Sequence, residues 1–401
     1  MPEPRPLLET LPALPADPIF ALNTQMKADP RPHKLDLIVG VYKDGEGETP
    51  VFEAVHKAEG RITLARESKS YRGLSGNEQF NRLIPHLVLS DHAVIERATV
   101  IQSVGGTGAL RLLADLIKVA NPDATIWISN PGWGNHEPLF KAAGLKIARY
   151  DYLTPDGAAD GEGILRQLRA AQPGDAVLIH GCCHNPSGAD LHVDTWQALG
   201  HLVVERGLLP LVDLAYQGLG DGLRQDVAGL DRFVEIVPEL LISVSCSKNF
   251  GLYYERTGAA IVISASADAR PSVNATLQTL ARTNYSMPPD HGAAIVAEIL
   301  ADPELRAEWE EELNAMRDRI HGVRTALADL FLESTPDPAL QAVRHHKGMF
   351  SVLPLTAAQM TRLRDEYGVY GTNSGRVNIA GVSINDVPYL AESILAVMNE
   401  E

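Results

Sequence analysis

Cysteine is scarce: three residues in 401, Cys182, Cys183 and Cys246. The count is odd and two are adjacent, which excludes a disulfide framework and fits a reducing, cytoplasmic compartment. No apolar run approaches the roughly 18 residues of a membrane span. Basic residues are outnumbered, 35 Lys plus Arg against 51 Asp plus Glu, a net charge of −16. That balance argues against a phosphate-backbone binder, so neither nucleic acid nor membrane is an expected partner. The first residues lack the basic start and apolar stretch of a signal peptide. Their prolines (2, 4, 6, 12, 15 and 18) read instead as an extended arm, residues 1–16.

What the chain does have is alternation. Apolar strands are expected at 101–104, 125–129, 146–150, 176–180, 208–214, 241–245 and 259–264. Amphipathic helices fall between several of them. The helix after 104 shows Leu110, Leu113, Leu116 and Ile117 at 3- and 4-residue spacing. Continuous apolar strands alternating with helices predict an α/β fold with a mostly parallel sheet. From Asp302-Pro303, a capping side chain and a first-turn proline, a long helix is expected to about Leu332. Strands at 348–353 and 377–379, a helix at 357–367 and a last one from Val387 then predict a smaller α+β unit.

Four stretches could carry chemistry. Gly105-Gly-Thr-Gly108 sits between strand and helix, where backbone N–H groups suit a phosphate; a tight turn explains it equally well. It is neither a Walker A loop nor GxGxxG. His180–His184 crowds two histidines and two cysteines into five residues, too close to close a zinc tetrahedron, so no metal is expected. Asp213 ends an apolar strand, the place where α/β sheets bind ligands; a capping role is the plain alternative. Lys248, in Ser245-Cys-Ser-Lys-Asn-Phe-Gly251, follows another apolar strand. There its amine can drop below its usual pKa and act as a nucleophile, unless it is simply a solvated lysine.

In order, these stretches resemble the fold-type I pyridoxal-phosphate enzymes, specifically the class I aspartate and aromatic amino-acid aminotransferases. The likeness runs from Asp17 to the C-terminal helix. It includes Gly40–Lys43, Thr49-Pro50, Tyr71, Asn130-Pro131, Trp133, Asn135-His136, His184–Gly188, Asp213–Tyr216, Glu255-Arg256, Asn284–Ser286 and Ser374–Asn378. The resemblance implies a seven-stranded large domain (50–315) and a small domain (17–49 with 316–401), in a homodimer with shared sites. It implies that Lys248 forms the Schiff base and shuttles a proton, and that Asp213 pairs with the pyridinium nitrogen. Tyr216 and Asn185 would bond the ring oxygen, and Trp133 would stack on the ring. Gly106, Thr107, Ser245, Ser247 and Arg256 would hold the phosphate, joined by Tyr71 from the other subunit. His136 and His180 would stand behind Asp213. Arg376 would take the substrate α-carboxylate and Gly40 would close over it. Arg282, again from the other subunit, would take a side-chain carboxylate. Both Asn-Pro bonds are expected to be cis.

The substrate expectation is dual. Arg282 implies 2-oxoglutarate and acidic amino acids. Ser70 and Met287 stand where the aspartate-specific branch has asparagine, and the adaptable Met287 favours a site tolerant of rings. Val41, Lys43, Thr49 and Thr107 instead match the aspartate branch, so a strict aspartate aminotransferase is the alternative. A β-lyase on the same fold is more remote, because two substrate arginines suit alternating dicarboxylates.

Overall fold

The structure is a computed structural model that describes residues 7–12, 18–65 and 68–399. Seven strands form its main sheet: β1 (Ala98–Val104), β2 (Thr125–Asn130), β3 (Lys146–Asp151), β4 (Ala176–His180), β5 (Leu209–Leu214), β6 (Leu240–Ser245) and β7 (Thr257–Ile263). Their order is β1-β7-β6-β5-β4-β2-β3. Only β7 runs against its neighbours; the β2–β3, β2–β4, β4–β5 and β5–β6 pairings are parallel. The expected mostly parallel sheet is therefore present. β4, β6 and β7 are buried at every residue, as a sheet covered on both faces requires.

Helix α1 (Gly105–Ala120) leaves the end of β1 and packs Leu110, Leu112, Leu113 and Ile117 onto the sheet. Because β7 alone is reversed, the chain enters it at the edge where β1, β4, β5 and β6 end. That edge gathers Gly105, His180, Asp213, Ser245 and Arg256, far apart in sequence.

A second region forms from both chain ends. Leu35–Asp36 pairs in parallel with Val369–Tyr370, and Phe350–Val352 pairs antiparallel with Arg376–Asn378. Helix α2 (Arg270–Asn284) follows β7, and the long helix α3 (Pro303–Ser334) links the regions, unbroken across 315 and 316. It starts where expected: Asp302 accepts from the backbone N–H of Glu304 and Leu305 at 2.9 and 3.0 Å. Helix Ala357–Tyr367 opens with a Thr356/Gln359 capping box and ends at Gly368, φ +69°.

Some expectations need correction. Of the extended arm only 7–12 is described, and there Leu7–Thr10 winds into one 3-10 turn. None of those four residues is proline, so Leu11 N–H can reach back to the Leu8 carbonyl at 3.3 Å. Asp17 lies outside the described residues. Helices at Pro18–Ala28, Glu53–Ala65, Glu78–Val88, Arg270–Asn284 and Asp290–Ala301 had no counterpart in the sequence reading. The last is nearly apolar all round, with seven buried residues, so it shows no narrow stripe. Among the described residues, no helix is long and apolar enough to cross a membrane.

Candidate active site

The gathered sheet edge opens into a cavity of about 160 Å³. Its lining includes Lys248, Asp213, Tyr216, Asn185, Trp133 and His180 on one side, and Gly106, Thr107, Ser245, Ser247 and Arg256 on the other. The separate candidates of the sequence thus meet in one place.

Asp213 is set deepest. Sheet register puts it beside His180 on β4 and Ser243 on β6. His136 Nε2 lies 3.0 Å from its Oδ2, and His136 is only 1% exposed. Burial pushes the Asp213 carboxyl upward. The hydrogen bond and charge of His136, with His180, outweigh this and hold it below the usual carboxylate range. His180 follows at 5.2 Å between ring centroids, then His184 at 4.3 Å, stacked on Tyr152 at 3.7 Å. Burial, then the neighbouring His136, drives the His180 imidazole down to about 3, so it stays neutral. His184 is fixed at both nitrogens, by Ser187 Oγ at 2.7 Å and Ser129 Oγ at 3.2 Å.

Lys248 borders the cavity. Burial and the nearby Arg256 cation lower its amine to about 8, against the opposing pull of Asp213. Its Nζ stands 5.3 Å from the centre of the Tyr216 ring. Asn185 Nδ2 donates to the Tyr216 hydroxyl at 3.0 Å. Trp133 meets His136 edge-on at 5.1 Å. Asn130-Pro131 and Asn185-Pro186 are both cis, as expected.

The opposite wall is built for an anion. Gly105 (φ +64°) and Gly106 begin α1, and a β-carbon would come within 2.7 Å of Arg256 Nη2 at the first and 3.0 Å of Ser245 Cβ at the second. Only glycine leaves that space. Ser245 Oγ and Ser247 Oγ are 3.2 Å apart, and Arg256 Nη1 donates to Ser247 Oγ at 3.4 Å. Helix N–H groups, two hydroxyls and a guanidinium suit a phosphate. Asn185 Oδ1 is buried without a hydrogen-bond partner. With the carboxylate of Asp213 and the amine of Lys248, this donor set fits a phosphorylated, nitrogen-containing aromatic carbonyl compound such as pyridoxal phosphate.

Arg376 is not among the residues lining this cavity; it is 8% exposed, with Nη2 donating to the Ile38 carbonyl at 2.7 Å. Burial lowers its pKa, partly offset by Tyr216. Gly40, two residues beyond Ile38, faces the ring of Phe350, where a β-carbon would lie 2.5 Å from Cζ. Two candidates stand elsewhere. Tyr71 is 94% exposed beside a separate groove, and Arg282 is exposed on the last turn of α2. Neither lines the cavity of its own chain. Cys182 and Cys183 sit with Asp226 in a buried cluster. The Asp226 oxygens already accept four backbone N–H groups, from Gly218, Gly220, Asp221 and Gly222. Phe350, whose ring lies 4.8 Å from the Arg376 guanidinium carbon, and Arg324, which donates to the Phe350 carbonyl, were missed: in sequence both are ordinary members of a strand and a helix.

A mostly parallel sheet holding this site at its strand ends is the architecture of the fold-type I transferases. The model of the family "Aminotransferase class I and II" matches residues 32–394, and the chain belongs to that family. It is 49% identical to a tyrosine aminotransferase of Rhizobium meliloti over 94% of this chain and 96% of that one. It is 43% identical to an aspartate aminotransferase of Salmonella typhi over 98% and 100%. A solved aromatic-amino-acid aminotransferase from Burkholderia pseudomallei, covalently bound to pyridoxal phosphate, superposes with a TM-score of 0.95. It is 38% identical, covering 98% of this chain and 100% of that one.

Proposed function

We propose that this chain is a pyridoxal-phosphate-dependent aminotransferase of dual specificity. It would exchange amino groups between aromatic or acidic L-amino acids and 2-oxoglutarate. One observation carries the reading: a lysine with a lowered pKa, a buried carboxylate and an anion cradle line a single cavity. Relatives named for aromatic and for acidic substrates, at 49% and 43% identity, support the dual specificity.

When bound, pyridoxal phosphate supplies an electron sink that eases removal of the substrate's Cα proton. The chain's own residues do the rest. Lys248 Nζ, a base at a pH near its lowered pKa, takes that proton and returns it to a neighbouring carbon. Asp213, kept ionised by His136, would hold a proton on the ring nitrogen. Asn185 and Tyr216 would hold a ring oxygen, Trp133 would cover the ring, and Gly106, Thr107, Ser245, Ser247 and Arg256 would hold the phosphate. Arg376 takes the α-carboxylate bidentately, under the loop carrying Gly40.

Tyr71 and Arg282 are read as serving the site of a second copy, which makes the enzyme a homodimer. Their exposure supports this, since a side chain that faces solvent in one chain is free to enter another. Residues 50–315 are read as the cofactor-holding domain. Residues 17–49 and 316–401 form the smaller one, closing on substrate and excluding water. Three buried free cysteines support a cytoplasmic setting.

The test is absorbance of the protein reconstituted with pyridoxal phosphate, before and after adding phenylalanine or aspartate. Conversion to the pyridoxamine form with both donors is expected. Conversion with aspartate alone would make the enzyme a strict aspartate aminotransferase, and no conversion with either would sink the reading.

A further inference from the structure

Phe350 sits where three of the functional candidates meet. Its ring fills the space denied to a Gly40 side chain. The Arg376 guanidinium carbon lies 4.8 Å from its centroid, and Tyr216 meets it edge-on at 6.1 Å. The strand that carries Phe350 pairs with the strand that carries Arg376, in the register Phe350 to Asn378 and Val352 to Arg376.

That strand is held from α3 by an unusual group. Arg324 is 1% exposed, and its hydrogen-bond partners among the described residues include no carboxylate. Nη2 donates to the carbonyls of Gly348 and Phe350, both at 2.7 Å, and Nη1 to Ser351 Oγ at 2.6 Å. A buried guanidinium with no carboxylate hydrogen-bonded to it is costly to desolvate. Arg324 acts here as a clamp on the backbone either side of Phe350. The backbone just before the clamp also binds the cofactor wall: Lys347 N–H donates to the Gly188 carbonyl at 2.7 Å, three residues beyond Asn185.

We propose that Arg324 and Phe350 form a positioning unit for the α-carboxylate subsite, Arg324 fixing the strand and Phe350 presenting its ring face to Arg376 beneath the Gly40 loop. A guanidinium stacked on a ring keeps its N–H edge free in the plane, as bidentate carboxylate binding requires. Arg376 Nε, buried and without a partner, is part of that edge. The inference rests on Arg376 being the carboxylate anchor.

The experiment uses the cofactor-loaded enzyme and the variants Phe350→Leu, Arg324→Lys, their combination, and Arg376→Lys as reference. Leucine keeps an apolar side chain without a ring face, and lysine keeps the charge without the planar fork. Steady-state kinetics is paired with calorimetric titration of succinate, a dicarboxylate that cannot react. Phe350→Leu is expected to raise KM for donors and acceptors, and the succinate Kd, about tenfold, with kcat within about threefold. Arg324→Lys is expected to do the same more weakly, and less again in the Phe350→Leu background, because both act through one ring. An unchanged KM and succinate Kd in a folded Phe350→Leu enzyme would overturn the proposal. Additive effects would overturn the role of Arg324. If Arg324→Lys does not fold, Phe350→Leu decides alone. If Arg376→Lys leaves succinate binding intact, the carboxylate reading itself fails and takes this inference with it.

Discussion

The deep end of the site and the two outlying residues proposed as the rim of a second copy's site are made differently. At the deep end Asp213, His136 and His180 are held by adjacent strands and a buried imidazole, each at most 8% exposed. At the rim Tyr71 is 94% exposed and Arg282 faces solvent from the end of a helix. Strand register and burial hold the first within one chain, with His136 hydrogen-bonded to Asp213 and His180 beside it on the neighbouring strand. The rim residues have no such support among the described residues. On the proposed reading, the fold of one chain prepares the cofactor site, and the choice among substrates would depend on a second copy covering Tyr71 and Arg282.

The comparison can be broken at the deep end first. Lys248→Ala should lower transamination by at least about a thousandfold, because among the described residues no other amine borders the cavity. Single-turnover absorbance measures this directly, and activity retained within tenfold would contradict the assignment. Asp213→Ala should cost roughly a hundredfold or more in kcat. It also leaves His136 Nε2 buried without its carboxylate, so the melting temperature should fall as well.

A pH measurement isolates Lys248 without substrate. Its folded pKa of about 8 lies below the 10.5 of a free lysine, so the unfolded chain holds the proton across that window. The penalty is therefore complete below pH 8, and stability of the cofactor-free protein rises as pH climbs from 8 to 10.5. The rise from this group is about 3 kcal/mol. Lys248→Met should flatten the rise in denaturation midpoint over that interval.

The rim predictions are smaller and sharpen the contrast. Arg282→Leu should reduce kcat/KM for aspartate and 2-oxoglutarate by about a hundredfold, and much less for phenylalanine. Equal loss for all substrates would mean that Arg282 does not select the side chain. Mixing Arg282→Leu with Lys248→Ala chains should restore part of the aspartate activity, because one hybrid site then holds both wild-type residues. No recovery on mixing would argue that each chain works with its own Arg282.

The sequence was most legible where the chain is locally periodic. The strand 176–180 and the helix 357–367 were located to the residue, and every main-sheet strand was found within about three residues of its ends. Strands buried on both faces are continuous apolar runs, and a capping box or an Asp-Pro start is a local signal. Helix Asp290–Ala301 and the two-residue ribbon Leu35–Asp36 with Val369–Tyr370 were invisible for the opposite reason. The first is mostly small and apolar, with only Asp290, His291 and Glu298 to mark its outer face, and the second is too short to have a period.

For the site, Gly105, Asp213 and Lys248 could each be singled out from the residues alone, because glycine and charge at the end of an apolar strand are locally anomalous. The motif likeness supplied the remaining candidates. The sequence by itself therefore determined the fold class, the kind of chemistry and the residue types that carry it. Tertiary structure alone decided that β7 runs backwards and brings Arg256 to Gly105. It also decided that three histidines line up behind Asp213, and that a buried Arg324 and Phe350 stand beneath Arg376. Those facts are contacts between residues tens to hundreds of positions apart, set by strand register and side-chain packing, and local composition carries no trace of them.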